Sequence, residues 1–137
     1  MTYKGHTVAV GSEPVAIKEY GTSTVTNPNL YYDKVTTTQP ANAIVANLGS
    51  ANVSILNLVS PAVLATVDVG AQPIALTVNS AGTMAYVANY GSGTLSEVNL
   101  STYSVSRTAS VGAGPMSAAM DPSGSYVWLV ARTICLK

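Results

Sequence analysis

The sequence predicts an all-β fold, and three observations predict it. Runs rich in β-branched and aromatic residues are short and broken by Gly, Pro, Asn and Ser. No window sustains a helical period. A block of 42 residues also occurs twice in succession: residues 43–84 and 85–126 are identical at 16 of their 42 aligned positions, without a gap. The identities include the punctuation (Gly49 with Gly91, Gly70 with Gly112, Pro73 with Pro115, Gly82 with Gly124). Chance similarity in a chain rich in Ser, Ala and Val would not align these turn-forming residues as well.

Each copy reads as four short strands. In the complete copy the first covers 73–79 (PIALTVN) and ends in the turn Ser80-Ala81-Gly82. The second, 83–90 (TMAYVANY), is β-branched and aromatic. Gly91-Ser92-Gly93 follows with the left-handed positions that a tight hairpin needs, so both glycines are expected in conformations costly for a residue with a Cβ. Strands three and four cover 94–100 (TLSEVNL) and 105–111 (VSRTASV), joined by 101–104. Gly112-Ala113-Gly114 then leads to Pro115, which opens the next unit where a missing N–H is tolerated. Four strands per unit match the blade of a β-propeller, about 40–45 residues, better than a helical solenoid repeat.

The residues also resemble a known family. Ile44-Val45-Ala46-Asn47 and Tyr86-Val87-Ala88-Asn89 are similar to the Y-V-T-N signature of the YVTN β-propeller repeats, with alanine in place of threonine in both copies. The frame around them agrees: Val69-Gly70 before Pro73 and Val111-Gly112 before Pro115, then Asn79 before Gly82 and Asp121 before Gly124. The resemblance covers about two-thirds of the chain and implies the propeller fold. It implies little about activity, because such propellers occur in surface-layer proteins, binding modules and a few enzymes.

The flanks extend the pattern less cleanly. Val10-Gly11-Ser12-Glu13-Pro14 repeats the lead-in, which puts a first blade at about 14–70, a second at 73–112 and an incomplete third at 115–132 of one partial propeller spanning 1–137. Pro14 and Pro73 are 59 residues apart, and the excess over 42 falls in an insertion, 21–40, rich in Thr, Tyr, Asn and Pro. It is expected to be a surface loop that the blade does not need. At most eleven strands are expected, one of them before Gly11. A closed ring needs at least four blades, or about 170 residues, so the chain is not expected to stand alone as a monomer. Pairing of residues 4–10 with 115–131 would give only a three-stranded blade in a ring of three. The end faces would remain open, and self-association, or the missing blades of a longer parent, is the expected partner.

Composition limits function. Charged residues are 9% of the 137, the formal net charge is zero and the mean hydropathy is +0.31. Little self-repulsion keeps such chains apart. Lys4, Lys18, Lys34, Arg107, Arg132 and Lys137 are scattered, which argues against nucleic acid as a partner. No run is long and apolar enough for a membrane helix or a signal peptide. Low charge with many small polar residues points to an exported or cell-surface parent.

No catalytic constellation is legible, and no cofactor or metal site. Nucleophilic catalysis needs a nucleophile, a base and an orienting group. His6 is the sole histidine and Cys135 the sole cysteine, which rules out an intrachain disulfide and a cysteine-cluster zinc site. Gly112-Ala113-Gly114 lacks the rest of a phosphate loop. The sequons at Asn52 and Asn99 lie 47 apart, out of step with the repeat, and read as chance. Among the acidic residues that stand out (Asp33, Asp68, Glu97 and Asp121), Asp121 suits the first position of a turn and Asp68 suits an exposed strand end. Glu97 takes the place of Ile55 in the preceding copy. It is either a ligand group in a channel or at a blade edge, or a solvated glutamate beside Arg107 on the neighbouring strand. Tyr31 and Tyr32, in the insertion, either stack on a carbohydrate or pack on the blade. The expectation is a non-enzymatic propeller segment that binds a protein or carbohydrate or serves as structure. The alternative is a fragment of a propeller enzyme, lactonase-like or redox, with its catalytic residues in other blades.

Overall fold

In the computed structural model the backbone is described for residues 2–3, 6–21, 23–26, 36–39 and 41–131, and side chains for 7–21 and 41–131. The strands are β1 (Thr2–Tyr3), β2 (His6–Thr7), β3 (Pro14–Tyr20), β4 (Ser23–Thr26), β5 (Thr36–Gln39), β6 (Asn42–Asn47) and β7 (Asn52–Asn57). They continue with β8 (Ala62–Asp68), β9 (Pro73–Val78), β10 (Met84–Asn89), β11 (Thr94–Asn99), β12 (Ser104–Ser110), β13 (Pro115–Met120) and β14 (Val127–Ala131). No helix occurs among the described residues, and none is long and apolar enough to cross a membrane.

Two four-stranded antiparallel sheets, β3-β6-β7-β8 and β9-β10-β11-β12, are followed by the pair β13-β14. The first strand of the second sheet, β9, lies against both β3 and β13. The sheets are therefore blades stacked face to face, their first strands side by side, in a partial β-propeller.

Local chemistry explains the punctuation. Each first strand opens on a proline, where the ladder shifts register by a bulge (Pro14/Ala16, opposite Pro73 at Ala88/Asn89, Pro115/Ser117), so the missing N–H removes no regular ladder bond. The residue before each proline is left-handed: Glu13 at φ 51°, Gln72 at 52° and Gly114 at 61°. The carbonyls of Glu13 and Gln72 accept hydrogen bonds from the Leu48 and Tyr90 amides, at 2.9 Å each. Asn57 and Asn99 turn the chain into the outer strand, each side-chain oxygen accepting from the amides two and three residues ahead. At the first turn of the second blade, Asn79 Oδ1 accepts from the Thr83 and Met84 amides and Gly82 sits at φ 69°.

The core is the seam between the first two blades. Ile44, Ala46, Val53, Ile55 and Val67 from one face meet Val78, Ala85, Val87, Val98 and Leu100 from the other, with Tyr20 at one end. A smaller cluster of Ala43, Val45, Leu56 and Leu58 lies on the opposite face of the first blade, and Val8 and Val10 pack on it.

Three expectations need correction. Fourteen strands are described rather than at most eleven: β1 pairs with β2 instead of reaching 115–131, and the described β13-β14 sheet is two-stranded. The insertion is not all irregular loop, because β4 and β5 pair with each other as a ribbon. Of the two hairpin glycines, Gly93 is left-handed at φ 65°, and its counterpart Ala51 holds the same conformation at 53°. Gly91 is not left-handed. It is held by space: a Cβ there would lie 2.9 Å from Gln72 Oε1 and 3.1 Å from the Ala71 carbonyl.

Candidate functional site

The asparagine that ends each second strand is structural. Asn47 and Asn89 are buried where the second strand meets the hairpin. The Asn47 amide donates to Asn52 Oδ1 and Ser54 Oγ at 2.9 Å, and that of Asn89 to Thr94 Oγ1 at 3.1 Å and Ser96 Oγ at 2.9 Å. Each thus fastens strand two to strand three, while its own Oδ1 is buried without a partner. The glycine of the lead-in admits this side chain: a Cβ on Gly70 would lie 2.7 Å from Asn89 Nδ2.

The chemistry lies elsewhere. Tyr86 on β10 stands opposite Glu97 on β11, which stands opposite Arg107 on β12. Strand alternation puts this row, and the parallel row Ala88, Leu95 and Ala109, on the face of the second blade that looks toward β13 and β14. A cleft of about 270 Å³ opens there, with Tyr86, Leu95, Glu97, Arg107 and Ala109 on one wall. Met120, Gly124, Ser125, Tyr126 and Val127 form the other. Among the described residues no salt bridge joins Glu97 to Arg107, although they are cross-strand neighbours. Tyr86 and Glu97 are half-buried, and Arg107 and Tyr126 are exposed at the rim.

The first copy supplies a comparison within the same chain. The residues 42 positions earlier are Ile44, Ile55 and Ala65, in one cross-strand row of the first blade. Ile44 and Ile55 are 0% exposed, and Ala65 packs against the same dry core. A sealed aliphatic seam between blades one and two has thus become an open seam with an aromatic ring, a carboxylate and a guanidinium between two and three. A larger cavity, about 550 Å³, lies beside Gly91, Gly93, Gly112 and Gly114. Its walls are glycine, serine, alanine, Gln72 and Tyr90, and it presents no charged side chain, so it has less to offer as a site.

Of the residues singled out in the sequence, Glu97 is in the cleft. Tyr31 and Tyr32 lie outside the described residues, as do Asp33 and Cys135; His6 is on β2. Asp68 is exposed, and Asp121 accepts hydrogen bonds from the amide and hydroxyl of Ser123 in the β13–β14 turn. Among the described residues no three His, Cys, Asp or Glu side chains gather as a metal site. Tyr86 and Tyr126 escaped notice as site residues. The available signal was that positions 86, 97 and 107 depart together from 44, 55 and 65, which matters only once the strand register is known.

No protein-family model matches the chain, and no curated protein matches it. Solved structures do. Hydrazine synthase of Kuenenia stuttgartiensis is similar with a TM-score of 0.66 at 23% identity, over 67% of this chain and 26% of that one. A functionally unknown protein from Desulfotomaculum acetoxidans is similar at 0.60 and 13% identity, over 72% of this chain and 38% of that one. At these identities the likeness is one of fold, and this chain spans about a quarter and two-fifths of the two proteins.

Proposed function

We propose that the chain is a non-enzymatic segment of a YVTN-type propeller, from an exported or cell-surface protein, and that it binds a ligand between its second and third blades. One observation carries this reading: the row Tyr86, Glu97, Arg107 replaces the aliphatic row Ile44, Ile55, Ala65, packed in the core, at the same point of the repeat. Half-buried Glu97 loses part of its hydration with no ion pair among the described residues to offset it, which an aliphatic side chain at that place would not. A departure from local folding logic with no packing gain marks a position kept for another purpose. The signature residues and the lead-in Val-Gly before proline support the family assignment; low charge and abundant small polar residues support the location.

The test is to restore the first copy's residues in the second. The variant Tyr86→Ile/Glu97→Ile/Arg107→Ala should be more stable than the parent by about 1 kcal/mol, the order of the cost of partly desolvating an unpaired polar group. Thermal unfolding reads this directly. A variant with an unchanged or lower Tm would show that the row is part of the structure, and the binding reading would fall.

A further inference from the structure

We propose that the cleft takes a neutral saccharide, one or two sugar rings at a time; this rests on the binding reading above. The first reason is charge. A carboxylate stands beside a guanidinium with no ion pair closed between them, so the cleft carries no net charge and attracts neither anions nor cations. It still presents acceptors from Glu97 and up to five N–H donors from Arg107. Vicinal hydroxyls, each both donor and acceptor, complement this arrangement better than an ion does. The second reason is the rings. Tyr86 and Tyr126 face the cleft from opposite blades and offer flat apolar faces with polar tips, suited to the C–H face of a sugar.

Size and main-chain geometry narrow the class. The volume, about 270 Å³, lies just below the ~300–1,000 Å³ typical of small-molecule pockets, enough for a sugar ring or two and too little for a folded partner. A peptide would dock best by adding a strand to a free sheet edge. The strands that carry Tyr86 and Glu97 are paired on both edges, so at these two residues the wall offers side chains and no open main chain; the free edge belongs to β12, whose Arg107 stands at the rim.

The experiment titrates the whole chain, with its tyrosine rings isotope-labelled, with cellohexaose, maltohexaose and chitohexaose, read by NMR. At least one should move the Tyr86 and Tyr126 ring signals saturably, with an affinity that does not change between low and high salt because the ligand is neutral. Tyr126→Ala removes an exposed rim side chain and leaves the fold intact; it and Arg107→Ala should each weaken binding about tenfold or more. Trp128→Ser, on the opposite face of β14, should leave affinity unchanged. If none of the three sugars moves these signals, or if only a charged oligosaccharide or a peptide does, the saccharide assignment is wrong. The site reading survives that outcome as long as the triple variant still gains stability, so the two failures are distinguishable.

Discussion

Tyr20 ends β3 with its ring in the seam between the first two blades, 9% exposed. Burial pushes its phenol from the ordinary 10.0 up to about 12, and the neighbouring Tyr103 adds to the rise. Burial disfavours the phenolate, so the folded chain holds this proton more tightly than the unfolded chain. The stability this contributes is complete below pH 10 and lost as pH rises through the interval from 10 to about 12. We predict that Tm falls steeply across that interval and that Tyr20→Phe flattens the fall; parallel curves for the two proteins would contradict it. Asn89 shows the opposite kind of residue. Its place in a four-residue signature is plain in the sequence, but its work, tying β10 to Thr94 and Ser96, arises only in the folded blade.

At the scale of elements the insertion is the informative case. Tyr20 and Asn42, which flank it, are cross-strand partners in the β3–β6 pair, so the blade's own ladder is complete up to the point where the insertion leaves it. Within it β4 and β5 form a sheet of their own, joined to no strand of the blade. Removing residues 23–38 leaves 21, 22, 39, 40 and 41 to span neighbouring strands, which a hairpin loop of about five residues can do. Loop-closure entropy changes slowly with length, so the shortened chain should fold with its Tm within a few degrees of the parent. Recovery of only insoluble or unfolded protein would show that the ribbon supports the blade.

The whole molecule has two unlike ends. Beyond the third blade, Trp128 and Val130 lie on one face of β14, and Trp128 is 65% exposed. This face is the counterpart of the first blade's face that the second blade covers. On the far side of the first blade, Val15 and Ile17 border an apolar groove of about 330 Å³. The repeat itself makes these two faces complementary, since each reproduces one side of the seam between blades one and two. With zero formal net charge, little repulsion opposes their meeting. We predict concentration-dependent association by light scattering, weakened by Trp128→Ser at one end and by Ile17→Ser at the other. A mass that stays monomeric at every concentration would overturn it.

The sequence by itself determined the all-β class and the placing of turns within each copy. Both are local: β-branched runs favour extended backbone, and Gly, Pro and Asn turn the chain within a few residues of where they stand. It also marked Glu97, because one charge in place of an isoleucine is visible in an alignment of two copies. Only the tertiary structure decided that Tyr86, Glu97 and Arg107 form one row facing Tyr126, since that depends on the register across two hairpins and on how one sheet stacks upon another. It likewise decided that the Thr-rich arms at Ser23–Thr26 and Thr36–Gln39 pair with each other, and that a Cβ would crowd the Ala71 carbonyl at Gly91 and the Gly112 carbonyl at Gly93. Pairing partners and close approach come from residues distant in the chain, and no local pattern encodes them.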